Sequence, residues 1–524
     1  MAAPRPHRSP SHAALVAAGI FLSRIFGLIR QRVLGHYLGL GDGSDAFGAA
    51  FRIPNLLQNL LGEGVLSASF IPVYARLRAE GRDEDAERVA GAVFALLALV
   101  TSVVVLAGVL AAGPLTDLLV PGWTGAKRDL TVRLVRVLFP GAGLLVLSAW
   151  CLGVLNSHRR FLLPYAAPVL WNLAIIATLL LGGDPAADAR TAFLAALGSV
   201  LGSALQFGIQ LPVVLRLLRQ FRPTPATSDP QVRTVIRNFG PVFFGRGVVQ
   251  ISAFMDTVIG SLLGTGAVAG LNAAQLLYTL PVSLFGMSVS AAELPAMSSA
   301  TESEAEIAGA VRARLEPGLR RIAFFVVPSA VAFLVFGREL AGALFQTGRF
   351  SAADSRYVWG ILAGSAIGLL AATLGRLYSS ALYALRDTRT PLRFAIVRVG
   401  LGILLGVGAA LWLPGRLGIG AEWGAAGLTA ASAIAATVEC SLLRRASRHR
   451  IGAADLDLTL LAGLWLAALL GAGAGFGCGL LLPPMHPALR AALVLLPFGL
   501  CYLALTYRAG VAESRDLVRR LRRR

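Results

Sequence analysis

The sequence predicts an all-α polytopic membrane protein of about fourteen transmembrane helices, arranged as two pseudo-symmetric six-helix lobes plus two C-terminal helices. Three observations carry that prediction. Of the 524 residues 56% are hydrophobic and only 15% are charged, whereas soluble domains carry about 25% charged residues. Apolar runs of about 20 residues, long enough to cross about 30 Å of hydrocarbon, recur from end to end. Arginines crowd alternate loops between those runs, as membrane topology requires. The alternating ten-residue strands of an outer-membrane barrel are absent.

Residues 1–12 form a cytoplasmic N-terminus with Arg5 and Arg8. They resemble the start of a secretory leader, but Arg24 interrupts the following run and no small-residue cleavage site follows. An uncleaved first span is therefore expected over 13–36. Spans over 45–72, 89–112, 130–154, 163–182 and 191–214 complete a first lobe, 13–214. A cytoplasmic linker, 215–236, leads to a second lobe over 237–450. Its spans fall at 237–263, 268–295, 319–336, 357–384, 391–413 and 422–443. Spans 458–482 and 488–508 occupy the segment 451–508, and residues 509–524 form a basic tail.

Arginines concentrate in loops such as 73–88, 215–236, 385–393 and 444–457. This bias puts both termini in the cytoplasm. The net charge of +20 thus reflects topology and not nucleic-acid binding. The tail is expected to anchor on anionic lipid. One of the 48 basic residues is lysine, Lys127, and the rest are arginine. Four cysteines lie in apolar runs without metal-like spacing and read as small buried hydrophobes.

The two halves echo each other. Arg24, Leu38-Gly39-Leu40-Gly41 and Ala68 through Pro72 match Arg246, Leu263-Gly264-Thr265-Gly266 and Ala292 through Pro295, displaced by 222 to 225 residues. Transporters often place their substrate site between such repeats. On that alignment Arg24 and Arg246 face one another across a cavity.

Charged residues inside spans are the candidate site. A cation at the bilayer centre costs at least about 2.5–3.5 kcal/mol, so it faces a polar cavity or a partner. Arg24 lies about 16 Å into the first span, beside Ser23, with Arg30 nearer the outer end. Arg52 and Glu63 flank Pro54-Asn55-Leu56-Leu57 in the second span, where Pro54 is expected to disturb the helix. Asp45 opens that span; it either pairs with Arg30 or Arg52 as a gate or serves as an N-terminal helix charge. Arg246 and Asp256 sit ten residues apart on nearly one helix face, as cavity cation and coupling-ion ligand or as a salt-bridge network. The six histidines have no metal spacing, and no Walker A or Gly-x-Ser-x-Gly sequence is present. A transporter rather than an enzyme is expected, with no cofactor, drawing on membrane potential or a Na+ or H+ gradient.

Several motifs resemble the MviN/MurJ proteins: Ser23-Arg24-Ile25-Phe26-Gly27-Leu28-Ile29-Arg30, Asp45-Ala46-Phe47, Phe51-Arg52-Ile53-Pro54-Asn55-Leu56-Leu57, Gly62-Glu63-Gly64 and Phe70-Ile71-Pro72. Later ones are Leu155-Asn156-Ser157, Leu344 through Phe350, and Asp387 through Pro391. The resemblance spans about 13–450. It implies a lipid II flippase of the MOP exporter superfamily, with a cationic central cavity. Its cargo would be an undecaprenyl-pyrophosphate-linked peptidoglycan precursor, and cell-wall synthesis proteins would be its partners. It also implies roles for Ser23, Arg24, Arg30, Asp45, Arg52 and Glu63. Three positions depart from the pattern: Gln31 replaces an acid, Gln58 replaces an arginine, and Gln275 or Leu276 stands near another arginine position. Arg246 is expected to restore part of the lost charge. The competing readings are a flippase for another polyprenyl-linked glycan, a multidrug or cation exporter of the same superfamily, and a membrane glycosyltransferase.

Overall fold

The computed structural model describes residues 12–287, 289, 304–452 and 456–522, without the side chains of 12–17, 242, 244–249, 251–253, 304–307 and 521–522. The described residues are helical throughout, apart from turns and loops. Among the described residues, eleven helices are long and apolar enough to cross a membrane, or twelve when one bent pair counts as a single span. The expected fourteen are not reached by that measure. Helices nevertheless cover each of the fourteen predicted stretches, at least in part. The chain divides into two compact units, one of residues 1–261 with 347–349, the other of 262–346 with 350–524.

The first unit begins with α1 (His12–Leu38), α2 (Asp42–Leu61), α3 (Glu63–Ser69) and α4 (Ile71–Ala79). It continues with α5 (Asp83–Leu110), α6 (Ala112–Leu119), α7 (Gly125–Ser157), α8 (Leu162–Ala166), α9 (Pro168–Gly182), α10 (Asp188–Leu217) and α11 (Pro230–Ser261). Helix α7 is its axis, packed by α2, α5 and α10. Small residues permit the close approach, as in membrane bundles generally. A Cβ at Gly141 would stand 3.3 Å from Val200, and one at Gly202 2.8 Å from the Trp171 backbone. Trp150, fully buried on α7, donates its indole N–H to the Ala90 carbonyl at 3.2 Å.

Pro54 leaves α2 continuous, contrary to expectation. Its missing N–H lies within a helix whose neighbouring bonds survive. The break comes instead at Gly62, where φ is −88° and ψ −148°. A Cβ there would stand only 2.2 Å from the Gln58 carbonyl, so the turn requires glycine. Helix α11, placed by the sequence at the head of the second lobe, clusters with the first unit by packing on α2 and α3.

The second unit holds α12 (Ala267–Pro281) with its π-helical extension to Met287, then α13 (Glu304–Phe345), kinked at Phe336. Next come α14 (Ala352–Ala366) and α15 (Leu369–Ala384), bent 45° against each other. The remaining helices are α16 (Arg389–Val407), α17 (Leu413–Leu417), α18 (Gly424–Ile451), α19 (Leu458–Leu481), α20 (Pro487–Arg508) and α21 (Ala512–Arg522). Ser351 and Asp354 form a reciprocal capping box at the start of α14. One apolar core joins α13 to α19 and α20, where the Tyr502 hydroxyl donates to the Phe324 carbonyl at 2.6 Å. Arg398 pairs with Glu439 at 3.2 Å between α16 and α18.

Candidate functional site

The polar face that α2 and α3 turn toward α11 is the candidate site, and the helix break creates it. Beside Gly62, residues Gln58, Asn59, Glu63, Gly64 and Ser67 line a cavity of about 410 Å³. Among the described residues, the side chains on that wall, Gln58, Asn59, Glu63 and Ser67, are polar, which is unusual within a membrane-spanning helix. Asn59 donates its amide to Gln250 Oε1 on α11 at 3.3 Å. Two turns earlier on α2, Arg52 is electrostatically coupled to Asp256, also on α11.

These two contacts share one register. From Arg52 to Asn59 a helix advances about 10.5 Å, and from Gln250 to Asp256 about 9 Å in the opposite direction along the pair. An antiparallel α2–α11 pair therefore presents a guanidinium against a carboxylate at one level and two amides at the next. Asp256 is the acid whose charge acts on Arg52. Arg246 lies one turn before Gln250 on α11, and its side chain lies outside the described residues, as do Glu293 and residues 1–11.

Arg30 occupies a second polar spot. Its guanidinium carbon lies 4.6 Å from the Trp171 ring centroid, and Phe51 of α2 packs on the same indole. Arg30 Nε, Trp171 Nε1 and Asn172 Oδ1 are buried without hydrogen-bond partners. Stacking on a ring face lets a guanidinium stay charged while its donors point elsewhere. Arg24 is exposed on α1, and Ser23 beside it is half-buried. Glu63 is exposed at the cavity wall.

Asp45 is fully buried, and its Oδ2 receives Lys127 Nζ at 2.7 Å. It stands in the first turn of α2, where an N-terminal helix charge is expected, and this ion pair is with the one lysine of the chain. Asp42 shares the same ammonium at 2.8 Å. Sequence reasoning missed Lys127 because 82 residues separate it from Asp45. Its rarity among arginines was the available signal. The motif Leu344 through Phe350 also finds a place, because Thr347–Arg349 belongs to the first unit. There Thr347 bonds His36 at 2.9 Å and Arg349 pairs with Asp188 at 2.8 Å. Asp188 in turn accepts the Gly43 N–H at 2.5 Å. Among the described residues no group of three or more His, Cys, Asp or Glu gathers to hold a metal.

Comparison with known proteins gives concordant results. The family model described as lipid II flippase MurJ matches residues 34–480. The lipid II flippase MurJ of Burkholderia cenocepacia is 32% identical over 392 residues, covering 73% of this chain and 75% of that protein. The probable lipid II flippase MurJ of Haemophilus influenzae is 31% identical over 439 residues, covering 81% and 83%. A solved lipid II flippase MurJ in an inward closed conformation superposes with a TM-score of 0.78 at 21% identity, over 96% of this chain and 99% of that one. An inward-facing multidrug resistance MATE transporter of the MOP superfamily gives 0.63 at 17% identity, over 83% and 98%. At such identities the last two likenesses speak to the fold alone.

Proposed function

The chain belongs to the lipid II flippase MurJ family, and from that premise we propose that it moves lipid II from the inner to the outer leaflet of the bacterial inner membrane by alternating access. It is a multi-pass membrane transporter and not an enzyme. In this reading Arg52, with Arg24 and Arg30, holds the pyrophosphate, because guanidinium donors match phosphate oxygens and act strongly away from bulk water. Gln58, Asn59 and Ser67 offer hydrogen bonds to the sugar and peptide of the headgroup. The polyprenyl chain stays in lipid throughout.

The observation that carries the reading is a cavity wall of Gln58, Asn59, Glu63 and Ser67 with Arg52 two turns away in the field of Asp256, within helices that cross the membrane. A guanidinium already neutralised by a carboxylate is tolerable at depth. A pyrophosphate, with more negative charge than one carboxylate, displaces Asp256 from Arg52. The freed carboxylate then takes a Na+ or H+, which couples transport to an ion gradient or to membrane potential. Both termini lie in the cytoplasm, the basic tail rests on anionic lipid, and cell-wall synthesis proteins are its neighbours.

The test is reconstitution in vesicles carrying fluorescent lipid II in one leaflet. Wild-type protein exposes the label to an external quencher, and Arg52→Gln slows this at least about tenfold, since a charge-assisted contact is lost. Parallel arms with another polyprenyl-linked glycan and with a cationic drug separate the competing readings. Transport of either in preference to lipid II would overturn the proposal.

A further inference from the structure

Lys127 sits in the first turn of α7, at the head of α2, and reaches two carboxylates at once. Its Nζ lies 2.8 Å from Asp42 Oδ1 and 2.7 Å from Asp45 Oδ2. The same nitrogen stands 4.3 Å from the Trp123 ring centroid. The lysine side chain is 13% exposed and that of Asp45 not at all, so water contributes little to solvating this charge. The position favours an ammonium ion. A compact point charge with three rotatable donors can serve two carboxylates and an indole face together, whereas a planar guanidinium fork fixes its donors in one plane. Every other basic residue of the 48 is arginine.

We propose that Lys127 is a positioning residue for transport: its ammonium ion holds Asp45 and Asp42 against α7 and thereby fixes the charged head of α2. It touches no cargo and acts through Asp45. Helix α2 carries Arg52 and Gln58 further along, so the clasp sets where the candidate site's own helix begins. The proposal rests on the flippase reading of the chain, and its two tests separate the failure of one from that of the other.

The first test needs no cargo. With the α-amine blocked, an amine-reactive acylating reagent labels this side chain alone, because the chain has no other lysine. The double variant Asp42→Asn with Asp45→Asn is expected to raise the labelling rate at least about tenfold, since removing both partners of a largely buried charge releases it. An unchanged rate overturns the clasp. The second test is lipid II flipping in vesicles. Cys478 and Cys501, the two cysteines that are not buried, are first replaced by serine. In that background Lys127→Arg and Lys127→Cys each lose at least about tenfold in rate, as expected when a buried carboxylate loses its fitted partner. Treating the Lys127→Cys protein with 2-bromoethylamine attaches a primary amine through a thioether and restores most of the rate. Thermal melts run alongside separate the roles: a purely structural role would lower rate only together with melting temperature, whereas the untreated Lys127→Cys protein is expected to lose rate while still folded at the assay temperature. Wild-type flipping by Lys127→Arg overturns the proposal, and so does a treated Lys127→Cys protein that melts like wild type yet stays inactive. If the wild-type protein itself moves no lipid II, the flippase reading falls while the labelling result still judges the clasp.

Discussion

Replacing Asp188 by alanine should be among the most damaging single changes near the head of α2. The Asp188 carboxylate accepts the Gly43 N–H at 2.5 Å and pairs with Arg349 at 2.8 Å, and it stands in the first turn of α10. A hydrogen bond to a charged group contributes about 1.5–3 kcal/mol, a half-exposed ion pair about 0.2–1, and a carboxylate at a helix N-terminus about 0.3–1. Asp188→Ala should therefore cost about 2–5 kcal/mol, whereas Asp188→Asn, which keeps an acceptor, should cost about half as much. Reversible unfolding in mixed micelles reads the difference. A second variant checks the geometry, since a Cβ at Gly43 would stand 2.8 Å from the Asp188 carboxyl carbon. Gly43→Ala alone should destabilise, and in the Asp188→Ala background it should cost less, because two residues in contact do not behave additively. A loss under about 0.5 kcal/mol for Asp188→Ala, the range of an ordinary surface change, would refute the reasoning.

Other expectations follow from the same contacts. Asp256→Asn leaves Arg52 without its carboxylate and should slow the flipping of fluorescent lipid II more than Asp256→Glu does; equal rates would argue against the pair. If Arg246 compensates for the missing cavity cations, Arg246→Ala should lower flipping in vesicles, and wild-type activity would disprove the compensation. His158, beyond the end of α7, is bonded to the Tyr74 hydroxyl at 2.9 Å, and burial, aided by Arg78, pushes its pKa from 6.5 down to about 4. Because the folded value is the depressed one, the unfolded chain takes up a proton first as pH falls. Stability present above about pH 6.5 should decline toward about pH 4, and His158→Asn should flatten that slope in thermal melts. Gly91→Ala would put a methyl 2.3 Å from the Arg222 carbonyl, and such overpacking should cost about 1–3 kcal/mol by denaturant titration.

What the sequence revealed and what it hid divide along a physical line. Helix positions were legible because each apolar run carries its own signal, and the Gly62-Glu63-Gly64 motif falls at the first of two breaks in the second span. Pro54 misled because a proline in a helix is usually disruptive, yet here the surrounding bonds hold. Buried arginines pointed to polar partners without naming them. Asp256 answers Arg52 across 204 positions, and Trp171 underlies Arg30 across 141. Pairings over such separations depend on helix register, which no local pattern encodes. For the same reason the strap from Thr347 to Arg349 was legible only as a motif, and its docking on His36 and Asp188 became visible in three dimensions.

The arrangement of charge along α2 follows from what a membrane tolerates. A lone cation at depth is expensive, and a cation with a carboxylate is much less so if both keep their hydrogen bonds. At its head α2 carries acids held by one ammonium, with Asp45 buried and Asp42 open to solvent. Further along it carries Arg52, whose charge is met by a carboxylate on a different helix. Beyond that come amides, a hydroxyl and Glu63 around a cavity, groups that hydrogen-bond a polar guest without adding much fixed charge. With Gln58 as its residue at the helix break, this wall carries no cation among the described residues that line it. On the proposed function, affinity for the diphosphate then depends on a few guanidinium groups, while the rest of the wall recognises the headgroup by hydrogen bonds. Weaker anchoring of the diphosphate favours release on the far side, because cargo held by fewer charges leaves faster.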